Sequence, residues 1–285
     1  MTDSLTYAYC LVRSPRRPPL RGAPPGVPGS RDLRALDAGG GVWLIVSSVP
    51  SFDYDEASVA QGLQNLDWVG RRAMAHESVV EHFLLAPAVL PMQLFALFTS
   101  DERALAHVLR DRARIDRILQ GLERQVEWGL RLTFDEKAAR DSVEQKHKVG
   151  GNRSKGSVSG AAYLARKRDL LSVTRAQVAR AKSQADRLYR AMRREATEAL
   201  RRTAMEDAAP GSRLLLDAAF LVPRQRSATF RRSLRREAKQ LDAVGVAVSL
   251  TGPWPPYNFI EIAARRGRAL AGRSTAALDA AAKRR

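Results

Sequence analysis

Gly160 to Met205, GAAYLARKRDLLSVTRAQVARAKSQADRLYRAMRREATEALRRTAM, decides how this chain is read. After Gly160 it holds no Gly, and it holds no Pro, so nothing in it breaks a helix. Leu164, Leu171, Val178, Ala185, Met192 and Ala199 recur every seven residues and form one narrow apolar seam. The positions three further on (Lys167, Thr174, Ala181, Leu188, Glu195, Arg202) are mixed, so a full coiled-coil pattern is absent. The expectation is one long amphipathic helix, about 160–206, partly clear of the core and able to pair with another helix.

Strand signals flank it. Val126 to Phe134 (VEWGLRLTF) precedes it, and Leu214 to Val222 (LLLDAAFLV) follows, bounded by Pro210-Gly211 and Pro223. Ser227 to Val244 reads as a helix with a basic face, and Val246 to Thr251 as a strand. Strand, long helix, strand, helix, strand suits an α+β sandwich. Asp135 to Ser159, polar and rich in charge, reads as a linker.

Upstream, Leu5 to Val12 (LTYAYCLV), the short Asp32 to Asp37, and Val42 to Val49 (VWLIVSSV) read as strands. Ser14 to Ser30 carries six prolines and three glycines and is a loop. Ser58 to Leu85 has helical periodicity broken near Asn65. Ala88 to Phe98 is strand-like, with Pro91 placing its start at a sheet edge or a bulge. Ser100 starts a helix carried through Leu122. The division expected is an N-terminal α+β domain over 1–122, a second domain over 123–260, and a basic tail over 261–285.

The 285 residues suit one or two domains, and 45% hydrophobic content is that of a globular chain. The single cysteine, Cys10, excludes an internal disulfide and a multi-cysteine metal site. The opening lacks a signal-peptide pattern and no apolar run reaches a membrane span, so a cytoplasmic protein is expected. The net charge of +18 is unevenly placed: residues 1–134 hold 15 Lys/Arg and 15 Asp/Glu, and residues 135–285 hold the entire excess. Such a basic half suits an acidic partner.

Catalytic patterns fail one by one. His76-Glu77-Ser78-Val79-Val80-Glu81-His82 sets its histidines six apart, about 120° apart around a helix, where a zinc helix needs i and i+4. Gly39-Gly40-Gly41 precedes a strand, whereas a phosphate-binding glycine cluster follows one, so a tight turn is expected. Cys10 lies within a strand and reads as a buried thiol. No catalytic residue, cofactor site or metal site is expected. The Arg clusters could track phosphates, but only Tyr163 and Tyr189 lie on the long helix, which is poor material for stacking bases. A nucleic-acid-binding protein using the basic C-terminal half stays as the alternative.

Several strings, in order, carry a resemblance: Tyr7-Ala8-Tyr9; Gly26-Val27-Pro28-Gly29; Ala75-His76-Glu77; Val89-Leu90-Pro91-Met92; Leu97-Phe98; Glu127-Trp128-Gly129; Ser159-Gly160 with Tyr163-Leu164; Ala218 to Pro223; and Leu250 to Phe259 (LTGPWPPYNF), the most specific. Together they resemble the GvpL/GvpF family of gas vesicle proteins. That resemblance implies a non-enzymatic minor structural or assembly component of gas vesicles, associated with the vesicle in the cytoplasm. Its implied partners are the hydrophobic shell protein and other accessory vesicle proteins. It also implies two α+β domains, the second a modified ferredoxin-like sandwich with a long protruding helix. The expected partner-binding residues are Leu164, Leu171, Val178 and Met192 on the helix seam, with Trp254 and Tyr257 in the Pro/aromatic segment.

Overall fold

Tyr, Val, Leu and Ile dominate β1 (Ser4–Arg13), β3 (Val42–Pro50) and β4 (Ala88–Phe98), residues that fit a pleated, half-buried surface. In the computed structural model these strands join β2 (Arg34–Asp37) in a sheet of order β2-β3-β1-β4, with every pairing antiparallel. The structure describes residues 4–137, 160–202, 211–242 and 245–264. β1 is central, and Tyr7 through Val12 are essentially without exposure. β4 lies at the edge, where Pro91 costs no ladder bond. Its register slips: Ala8 faces Ala96 but Cys10 faces Pro91, so residues 92–95 bulge opposite Tyr9. Phe95, at the end of this bulge, holds φ of 65°.

After β3 come α1 (Ser51–Tyr54), α2 (Glu56–Gly62) and α3 (Leu66–His82). The break expected near Asn65 is the cap of α3: its side chain accepts from the Asp67 and Trp68 amides at 3.0 and 3.1 Å. Ser100 caps the next helix through the Arg103 amide, as expected. That stretch is two helices rather than one, α4 (Asp101–Arg110) and α5 (Arg112–Gly121). At the break, Arg112 turns to Asp116 at 2.7 Å and to the Ala38 carbonyl at 2.5 Å. The Gly39 to Gly41 triplet is the tight turn, with φ of 82°, 54° and 71°.

The second sheet has the order β6-β7-β5-β8, from β5 (Gln125–Asp135), β6 (Glu198–Arg201), β7 (Ser212–Pro223) and β8 (Val246–Trp254). Two helices, α6 (Gly160–Glu195) and α7 (Ser227–Asp242), pack on each other and against β7. The long helix is therefore shorter than the sequence predicts. It stops at Glu195, and Glu198 to Arg201 pair with Leu221 to Ala218 as a strand. Glu, Ala, Leu and Arg are good helix formers, but pairing along β7 overrides that preference here. The seam's last member, Ala199, sits on β6 opposite Phe220.

The chain divides into two compact units: Met1–Glu127 with the segment from Pro253, and Trp128–Gly252. The fold is α+β with two sheets. The expected linker falls largely at 138–159 and most of the basic tail at 265–285, both outside the described residues. No helix among the described residues is long and apolar enough to cross a membrane.

Candidate functional site

The first unit is organised around a buried cluster of polar aromatics. Tyr7 and Tyr9 alternate with Ala8 along β1, so both rings point to the same face and stand 4.8 Å apart. The Phe95 amide donates to the Tyr7 hydroxyl at 3.3 Å, and that hydroxyl meets His76 Nδ1 at 2.9 Å. The imidazole tautomer sets which of the two donates in this bond. Burial pushes the His76 pKa down to about 4, so the ring is neutral at pH 7. Burial likewise raises the Tyr7 and Tyr9 phenols and the Cys10 thiol.

This cluster also holds the proline-rich loop. The Val27 amide donates to the Tyr9 hydroxyl at 3.0 Å, and the Tyr54 hydroxyl donates to the Pro28 carbonyl at 2.7 Å. Gly26 has no room for a side chain against the Tyr9 hydroxyl, which is the physical reason for glycine in Gly26-Val27-Pro28-Gly29. Arg72 lies 3.7 Å over Trp68 and 5.0 Å over Tyr54, and Trp68 in turn stacks on the bulged Phe95. Tyr7, Tyr9 and His76 are only 0–4% exposed, so their hydrogen bonds tie β1, α3 and the loop together inside the unit.

The Pro/aromatic segment also belongs to this unit. Pro255, Pro256 and Phe259 are buried and Trp254 is half-buried. The Tyr257 hydroxyl donates to the Glu77 carboxylate, and the Asn258 amide donates to Glu127 at 3.0 Å. Further on, Ala263 is buried against Gly121, where no side chain would fit, and Glu261 pairs with Arg114 at 2.5 Å. Burial raises the Glu77 pKa, with the Tyr257 hydrogen bond opposing. Sequence reasoning missed the seat formed by Glu77 and Glu127. Its one visible signal was a glutamate inside the apolar run Val126 to Phe134.

In the second unit the seam on α6 divides in two. Ala181, Ala185, Leu188 and Met192 are buried, with Tyr189 packed against Phe220 at 5.7 Å. Ahead of Ala181 on the seam, Val178 is half-buried. The side chains of Leu164 and Leu171 lie outside the described residues. Of the six expected partner-binding residues, Met192 is in the core, Tyr257 is tied to Glu77, and Val178 and Trp254 keep part of their surface open. Among the described residues no group of three or more His, Cys, Asp and Glu is placed to hold a metal ion.

Comparison with known proteins extends this picture. The family model "Gas vesicle synthesis protein GvpL/GvpF" matches residues 5–261. Gas vesicle protein L of Streptomyces sp. (strain CB03234) is 32% identical over 270 residues, covering 92% of this chain and 95% of that protein. Among solved structures, GvpF from Anabaena sp. PCC7120 aligns with TM-score 0.63 at 16% identity, over 90% of this chain and 96% of that one. GvpF from Microcystis aeruginosa aligns with TM-score 0.61 at 15% identity, over 91% and 99%. The likeness to these two structures is one of fold.

Proposed function

The chain belongs to the GvpL/GvpF family of gas vesicle synthesis proteins, and from that premise we propose that it is a non-enzymatic assembly or minor structural component that binds the hydrophobic shell protein and accessory vesicle proteins. The observation that supports this most is the divided seam of α6. From Ala181 on the apolar stripe is used up in the core, whereas Val178, ahead of it, keeps part of its surface open. Leu171 and Leu164 stand seven and fourteen residues before Val178 on the same helix. A helix that outruns its own core offers an apolar stripe for a second helix to cover. Met192 holds the stripe from inside, and Trp254 with Tyr257 provides a second contact, on the other unit.

Shell proteins of high apolar content aggregate before assembly, so a helper that covers apolar surface needs a binding face rather than a reactive site. The protein is taken to act in the cytoplasm, on or beside the growing vesicle. The second unit is read as a modified ferredoxin-like domain whose first helix is α6. Pull-down of the shell protein, with electron microscopy of vesicles, tests the reading. Leu171→Asp together with Val178→Asp should abolish capture and leave cells without vesicles, while circular dichroism stays that of the unaltered protein. Undiminished capture and normal vesicles in the double variant would remove the seam as the interface.

A further inference from the structure

The two helices of the second unit bury one face each and turn a basic one outward. On α6 the buried side chains are Ala181, Ala185, Leu188 and Met192. Arg180, Arg187 and Arg194 lie on the opposite side, all exposed, each seven residues from the next. On α7, Phe230, Leu234 and Leu241 are buried, and Arg232 and Lys239, again seven apart, are exposed. The described acids on these helices are already engaged: Asp186 with Arg201 at 2.6 Å, Glu195 with Arg226 at 3.3 Å, and Glu237 with Arg236 at 3.4 Å. Arg180, Arg187 and Arg194 have no hydrogen bond or ion pair among the described residues. Among the described residues, no acid pairs with this row of arginines.

We propose that this outer face is a docking surface for an acidic α-helix of a partner protein, one that presents Asp or Glu at seven-residue spacing. Seven residues of helix rise about 10.5 Å, and a second helix laid alongside repeats its side chains at the same interval. Guanidinium groups pair with carboxylates in a two-pronged, oriented way, so a row of arginines selects for position as well as for charge. Nucleic acid fits less well. Of the two aromatics on α6, Tyr163 and Tyr189, the one whose side chain is described, Tyr189, is buried and offers no platform for base stacking. The surface is separate from the apolar seam, and its failure would leave the proposed shell-protein contact standing.

The test uses the whole protein at about 0.15 M salt, where weak surface electrostatics are screened. The probes are two labelled, alanine-based helical peptides of about 21 residues, long enough to hold a helix. They have identical composition, one with three Glu seven apart, the other with the same three Glu scattered around the helix. The spaced peptide should bind about tenfold more tightly than the scattered one. Arg180→Glu with Arg187→Glu and Arg194→Glu should remove that preference. Arg71→Glu with Arg103→Glu and Arg110→Glu, an equal charge change at exposed positions of the first unit, should keep it. Equal binding of the two peptides, or equal loss in both triple variants, would overturn the proposal. So would binding of a duplex DNA of about 20 base pairs, or of anionic phosphatidylglycerol vesicles, as tight as that of the spaced peptide.

Discussion

The two units bury different chemistry. The first closes its core with hydroxyls, an imidazole and a guanidinium: Tyr7 to His76, Tyr9 to Ser47 and Val27, Tyr54 to Pro28, Arg72 over Trp68. The second closes on hydrocarbon and rings, with Phe220 between Tyr189 at 5.7 Å and Phe230 at 5.5 Å. Its buried carboxylate, Asp217, is held by Arg131 at 3.1 Å and by Arg202 at its rim. Polar contacts are directional, so the first core fixes a loop and a bulge that apolar packing alone would leave undetermined. Apolar packing tolerates small shifts of the elements that meet in it, so the second core sets positions less strictly than the first.

The sharpest way to break the comparison is through volume in the second unit. Phe220→Ala removes a fully buried ring from the middle of the aromatic row. It should cost about 3–5 kcal/mol, read as the loss of amide exchange protection in β7, α6 and α7. A loss below about 1 kcal/mol would mean that the row contributes little and that the hydrocarbon account of this core is wrong.

The next effects belong to the first unit and depend on pH. His76 has a folded pKa of about 4 against an ordinary 6.5. Above pH 6.5 the ring is neutral both folded and unfolded, and the fold has its full stability. As pH falls from 6.5 to 4, the unfolded chain takes up a proton that the buried ring refuses. Stability should therefore fall by up to about 3 kcal/mol across that window. His76→Gln cannot titrate and should flatten that part of the curve in urea unfolding of the first unit. An unchanged slope would show that His76 does not carry it. Tyr7→Phe deletes the hydroxyl that joins the Phe95 amide to His76, leaving both without that partner. It should cost about 1–3 kcal/mol, with raised exchange at the Phe95 amide as its local sign.

What could be read from sequence follows the same contrast. β1, β3, β4 and the break at Asn65 were legible because each is written in local pattern: β-prone runs, a proline at an edge, an interrupted helical period. β6 was not, since Glu198-Ala199-Leu200-Arg201 looks helical on its own and becomes a strand only beside Leu221 to Ala218. Nor was the break at Asp111, where Arg112 reaches a carbonyl 74 residues away in sequence. The seam of α6 could be read as spacing. Which half the core would cover depends on where the sheet ends, and no local pattern records that. The Glu77 and Glu127 seat was hidden for the same reason, because its partners Tyr257 and Asn258 lie 180 and 131 residues away.

The smallest effect separates local from long-range control within the first unit. α3 carries Arg72 and His76, the two groups that tie it into the core. It also has its own start signal in Asn65, whose side chain satisfies two amides of the first turn. Asn65→Ala should cost about 1 kcal/mol, the ordinary loss of a cap. If the buried network fixes the helix, only the first turn frays. Exchange then rises at the Asp67 and Trp68 amides and stays unchanged near His76. A cost as large as that of Tyr7→Phe, with protection lost along all of α3, would show instead that cap and network form one cooperative element. The first core would then owe its rigidity as much to a local signal at Asn65 as to its buried hydroxyls.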